Sequence, residues 1–166
     1  MGTFAVQIAK SFGADVTGVS KTKNVELIRS IGADHVIDYT QEDFTKGGQR
    51  YDLIFDCFAN HSLSARRRVL NPGGIYVAVG GPMKGGAIGL LARLMYMLVL
   101  SRFTRQKLLT FLARPSKEDL TILSELMATG KVRPVIDRCY LLSEVPEAIR
   151  HLQRGLALGK VVIALG

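Results

Sequence analysis

The spacing of apolar residues changes repeatedly along this chain, and each change marks an element. Phe4, Ala5, Ile8, Ala9 and Phe12 recur three and four apart, the period of a helix with one buried face. Gly13 supplies the stop. Residues 14–19 (ADVTGV) then read as a buried strand, and 20–24 (SKTKN) as a polar turn. A short helix over 25–31 and a short strand over 35–38 follow, with a polar connection over 41–48. Residues 52–57 (DLIFDC) form a strongly apolar strand and 63–70 a helix carrying an arginine triplet. Asn71-Pro72-Gly73-Gly74 predicts a tight turn, and 75–79 a buried strand that ends at Gly80-Gly81-Pro82. Strand and helix alternate, which predicts an α/β fold: a parallel sheet with helices on both faces.

Residues 83–115 depart from the alternation. The run over 88–100 is apolar nearly all round, too short for a comfortable membrane span, and interrupted by Arg93. It reads as a core or interface helix, with its methionines as adaptable packing. Ser116 is placed to cap the next helix, with Asp119 returning toward it, and Gly130 ends that helix. Residues 131–136 are extended and contain Pro134, the mark of an edge or connecting segment. A further helix starts at Ser143, with Pro146 in its first turn, and the last strand covers 161–165. No linker separates a second domain, and one domain is the natural count for 166 residues.

The start of the chain carries the chemistry. Gly2 opens a helix that runs into a strand, and the strand ends at a basic, hydroxyl-rich turn holding Ser20, Lys21, Lys23 and Asn24. In a dinucleotide-binding βαβ unit that turn meets the adenosine ribose. The acid that would hold a free ribose 2′-hydroxyl is missing, and two lysines suit a 2′-phosphate. NADP(H) is therefore favoured over NAD(H). The usual G-x-G-x-x-G fingerprint is represented only by Gly2.

Composition narrows the classes. Cys57 and Cys139 stand far apart with no C-x-x-C, which gives neither a zinc ribbon nor a disulfide framework. His35, His61 and His151 are too dispersed for a recognisable metal site, so no metal is expected. No signal peptide pattern is seen, and a cytoplasmic, reduced location is the expectation. Net charge is +8, but the basic residues are scattered and no aromatic-interleaved stripe accompanies them, so nucleic acid is not an expected partner.

An ordered series of segments carries a resemblance: Gly2-Thr3-Phe4-Ala5-Val6-Gln7-Ile8-Ala9-Lys10, Ile31-Gly32-Ala33-Asp34-His35-Val36-Ile37-Asp38-Tyr39, Tyr51-Asp52-Leu53-Ile54-Phe55-Asp56-Cys57, Asn71-Pro72-Gly73-Gly74 and Gly159-Lys160-Val161-Val162-Ile163. Together they resemble the cofactor domain of medium-chain dehydrogenases/reductases, the quinone oxidoreductase-like branch, almost end to end. The resemblance implies a Rossmann-like doubly wound parallel sheet lacking its first strand. It also implies a separate GroES-like domain, absent here, that carries most substrate contacts. The implied activity is zinc-independent hydride transfer from a nicotinamide dinucleotide to a small-molecule carbonyl, enone or quinone, and relatives commonly pair as homodimers. The alternative is a catalytically inactive truncated remnant or a protein-interaction module built on the run over 88–100.

The same resemblance assigns cofactor contacts position by position. Gly2 matches the last glycine of the phosphate loop, with Thr3 in the first helical turn, where amides and the helix N-terminus favour pyrophosphate. Ser20, Lys21, Lys23 and Asn24 match the ribose-reading loop, and Tyr39 an aromatic beside the 2′-phosphate. Cys57, Phe58 and Ala59 match the turn that lines the cofactor. Gly80 and Gly81 match the turn near the nicotinamide. The cofactor brings its own reactive carbon, so no nucleophile or triad is required and the catalytic residues are unknown. Cys57 reads as a small apolar residue at a strand end, and His61 as a capping or solvated residue at the carboxyl edge of the sheet. The missing first strand would lie between 14–19 and 52–57. Those strands must pair directly, leave a gap or accept another strand.

Overall fold

The computed structural model describes residues 1–58, 60–79, 95, 104–110, 114, 116–155 and 157–165. Their elements run α1 (Gly2–Ser11), β1 (Thr17–Ser20), α2 (Val25–Ser30), β2 (His35–Asp38), β3 (Tyr51–Asp56), α3 (Leu63–Arg68) and β4 (Leu70–Ala78). After these come β5 (Lys107–Thr110), α4 (Lys117–Ala128), β6 (Ile136–Leu141), α5 (Val145–Gln153) and β7 (Lys160–Ala164). The chain divides into two compact units: Met1–Thr40 with Pro115–Gly166, and Gln41–Arg114.

In the first unit β1 and β2 pair in parallel, from Thr17↔His35 to Ser20↔Asp38. Gly13, at φ 78°, turns the chain out of α1. Gly18 lets α2 lie directly on β1, since a Cβ there would overlap the Ile28 methyl. Asp34 ties the amino end of this pair together. It accepts from Lys10 Nζ at 2.8 Å and from the Val16 amide at 2.7 Å. These bonds hold its carboxyl down at about 2, with the Lys10 hydrogen bond the largest cause. The last turn of α1 thus sits at the amino end of β1–β2, and its first turn lies toward their carboxyl end.

Buried Gln7 holds the middle of α1. Its amide donates to the Arg133 carbonyl at 3.0 Å and accepts from the Arg133 amide at 2.8 Å. A second parallel pair, β6–β7, closes around α5, and His151 on α5 meets Asp137 on β6 at 2.6 Å.

In the second unit β3, β4 and β5 form one parallel sheet in that order. Its core is Leu70, Tyr76 and Ala78, with Ile54, Leu63 and Leu108 packed against them. The segment predicted as a tight turn at 71–74 lies inside β4, whose ladder with β3 is irregular between Tyr51 and Leu53. Gly73 takes φ 86° there, which explains the glycine. Strand β3 is less buried than its composition predicts, with Leu53 54% and Phe55 42% exposed. Strand β5 has no counterpart in the sequence reading, and β6 begins at Ile136, the last residue of the extended segment predicted at 131–136. The apolar run over 88–100 lies outside the described residues except for the exposed Met95. Among the described residues β1 pairs with β2, and β3 with β4, each within its own unit.

Candidate functional site

The carboxyl end of β1–β2 gathers most of the residues expected to read an adenosine ribose. Ser20 ends β1 and is buried. Its Oγ accepts from Asn24 Nδ2 at 3.0 Å, which folds the turn back on the strand end. The Tyr39 amide donates to the Ser20 carbonyl at 2.9 Å, so the chain leaving β2 runs beside the same turn. The Thr22 and Thr40 hydroxyls lie 3.1 Å apart and join the two loops again. Lys21 and Lys23 are exposed on this turn, and no ion pair engages either among the described residues.

One atom here is left without a partner. Asn24 Oδ1 is buried and has no hydrogen-bond donor among the described residues. An orphaned buried acceptor costs about 1–3 kcal/mol, and a ligand hydroxyl would satisfy it. Gly2 and Thr3 open α1, whose first amides have no partner within the helix and which carries no side-chain cap. Helix direction brings that turn toward the same end of the β1–β2 pair. The Gly2, Thr3, Ser20, Lys21, Lys23, Asn24 and Tyr39 positions all belong to the first unit.

Cys57 and Phe58 follow β3 in the second unit, and a buried ion pair sets their turn. Asp56 Oδ1 accepts from the Phe58 amide at 3.0 Å, and its Oδ2 meets Arg66 Nε at 2.6 Å. Arg66 is only 4% exposed. It donates to the Tyr76 hydroxyl at 3.1 Å, and its guanidinium lies 5.5 Å from the Tyr76 ring centre. The Tyr76 hydroxyl in turn donates to Asp56 at 3.0 Å. The arginine triplet therefore does more than face solvent. Burial pushes the Cys57 thiol up, with the Asp56 charge adding to the effect, which opposes a reactive thiolate. Phe58 is exposed. Ala59, Gly80 and Gly81 lie outside the described residues.

His61 does not cap α3; Ser62 does, accepting from the Ala65 amide at 3.2 Å. His61 instead lies 3.2 Å from Asp43 and packs edge-on to Phe44. Asp43 itself sits below the usual carboxylate range, chiefly through bonds from Thr45. Nothing in the sequence spacing ties His61 to the loop over 41–48.

This arrangement has known relatives. The family model described as zinc-binding dehydrogenase matches residues 31–163. The chain belongs to that family. Mouse mitochondrial NAD(P)H oxidoreductase RTN4IP1 is 36% identical over 183 residues, covering 98% of this chain and 45% of that protein. The chloroplastic quinone-oxidoreductase QR1 of Triphysaria versicolor is 31% identical over 98% of this chain and 49% of its own length. The quinone oxidoreductase of Coxiella burnetii superposes with a TM-score of 0.78 at 24% identity, over 99% of this chain and 49% of that one. Its likeness establishes the Rossmann-like α/β fold. The chain spans about half the length of the relatives it matches.

The zinc in the family's name finds no holder here: among the described residues no three His, Cys, Asp or Glu side chains come together. Among them, too, no helix is long and apolar enough to cross a membrane.

Proposed function

We propose that this zinc-binding dehydrogenase family chain is the cofactor-binding part of an NAD(P)H-dependent oxidoreductase whose electrophile is a carbonyl, an enone or a quinone. The nicotinamide ring, when bound, supplies the hydride. The chain's own residues supply the grip. The reading rests on the turn after β1, where, among the described residues, Asn24 Oδ1 is buried without a donor beside Ser20 and two lysines that make no ion pair. Asn24 would accept from a ribose hydroxyl, and Lys21 and Lys23 would meet a 2′-phosphate. The first-turn amides at Gly2 and Thr3 would receive pyrophosphate. The mouse and Triphysaria relatives, named an NAD(P)H oxidoreductase and a quinone-oxidoreductase, support the same chemistry. The free thiols of Cys57 and Cys139 suit a reducing compartment such as the cytoplasm.

The preference for NADPH over NADH rests on the lysines alone. Titration of the protein with each cofactor, followed by nicotinamide fluorescence, tests it. Lys21→Ala with Lys23→Ala should weaken NADPH binding at least tenfold, about 1.4 kcal/mol, and leave NADH unchanged. Equal affinities with no effect of the double substitution would remove the 2′-phosphate argument. Failure to bind either cofactor would remove the nucleotide reading.

A further inference from the structure

An open cleft of about 510 Å³ lies in the second unit, lined by Arg50, Arg67, Arg68 and Arg105 with the hydroxyls of Ser64 and Thr104. Strands β3, β4 and β5 all run the same way, so the residues that precede them share one end of the sheet. Arg50 precedes Tyr51, Arg105 precedes β5, and Arg67 and Arg68 close α3 just before Leu70. The turn at Cys57 belongs to the opposite end.

Two of these guanidinium groups are held by neutral partners. Arg67 Nε donates to Gln106 Oε1 at 3.1 Å, and Gln106 Nε2 donates back to the Arg67 carbonyl at 2.9 Å. Arg50 Nη1 donates to the Leu70 carbonyl at 3.3 Å. Among the described residues no carboxylate lies within ion-pair distance of any of the four arginines. The sequence accounts for this, because residues 57–117 hold ten Lys and Arg and no Asp or Glu. The carbonyl end of α3 offsets about half a charge, against four full positive charges.

We propose that this cleft binds a small oligophosphate, two or more linked phosphate groups, free or as the tail of a larger molecule. Guanidinium forks pair with phosphate oxygens two at a time. One phosphate group cannot neutralise four of them. The site does not depend on the nucleotide contacts of the first unit.

Calorimetric titration of the full chain with inorganic pyrophosphate at fixed ionic strength tests the proposal. Saturable binding is expected, weakened at least tenfold by Arg68→Gln with Arg105→Gln. The side chains of those two arginines make no hydrogen bond among the described residues, so the unfolding midpoint should stay unchanged. Lys21→Ala with Lys23→Ala should leave pyrophosphate binding intact. If the lysine pair abolishes it and the arginine pair does not, the anion occupies the nucleotide contacts and the proposal fails. No heat beyond that of matched sodium chloride overturns it, as does citrate binding equally tightly.

Discussion

Replacing Arg66 by Met is the most exacting test of the second unit. The substitution keeps the aliphatic stem and removes the cation. Asp56, whose side chain is 14% exposed, then loses its 2.6 Å ion pair but keeps the Phe58 amide and the Tyr76 hydroxyl. Tyr76 loses both the 3.1 Å hydrogen bond and the guanidinium against its ring, in a position that is 0% exposed. Breaking one side of a buried pair costs about 3–5 kcal/mol. At roughly 2–4 °C per kcal/mol for a chain of this size, the unfolding midpoint should fall by roughly 6–20 °C. The chain has no Trp, so far-UV circular dichroism during urea and thermal unfolding is the assay. The double variant Asp56→Asn with Arg66→Met removes both charges, keeps an amide oxygen for the Phe58 amide and an amide donor beside the Tyr76 hydroxyl, and should recover part of the loss. A single substitution costing under about 1 kcal/mol would refute the reasoning, as would a double variant no better than the single.

Other consequences are narrower. Gly159→Ala should destabilise by about 1–3 kcal/mol in urea titration, because a Cβ there would overlap the Val135 carbonyl that receives the Lys160 amide. Ser116→Ala should cost about 1 kcal/mol by the same assay and Ser116→Asp little, since the Ser116 hydroxyl caps α4 by accepting from the Asp119 amide at 3.1 Å. Asp34 contributes stability that is full above its unfolded pKa and is lost as pH falls through about 2. Acid titration followed by circular dichroism should therefore show a shallower decline from pH 4 to pH 2 in Asp34→Asn than in the parent chain.

Much of the first unit is readable from spacing. The helix α1, its stop at Gly13 and the strand at 35–38 coincide with the structure, because each is a local signal of period or turn chemistry, although Phe12 of the predicted stripe lies past the helix end and is exposed while polar Gln7 is buried. Strand β5 is four residues long and follows a long apolar run, where a period of two cannot be separated from a buried helix. The segment around Pro134 is a connection, one of the two readings its proline allows, and the ladder starts at Ile136, two residues beyond that proline. The capping hydroxyl of Ser116 was legible. The carboxylate it meets is Glu118, at 3.0 Å, rather than Asp119. Arg66 is the instructive miss. In a triplet its sign suggests a solvated face, and only the long-range approach of Asp56 and Tyr76 turns one member inward. The pairing of His61 with Asp43 was hidden for the same reason, since eighteen positions separate them.

The exposed apolar side chains of the strands have a colloidal consequence. Val19 on β1 and Leu53 and Phe55 on β3 leave apolar surface uncovered among the described residues. At low salt a net charge of +8 holds molecules apart. Raising salt from 0.01 M to 0.1 M shortens the reach of that repulsion from about 30 Å to about 10 Å, while the attraction between oily strands is untouched. Dilution into buffer of low ionic strength, rather than the customary added salt, is what should keep this chain dispersed.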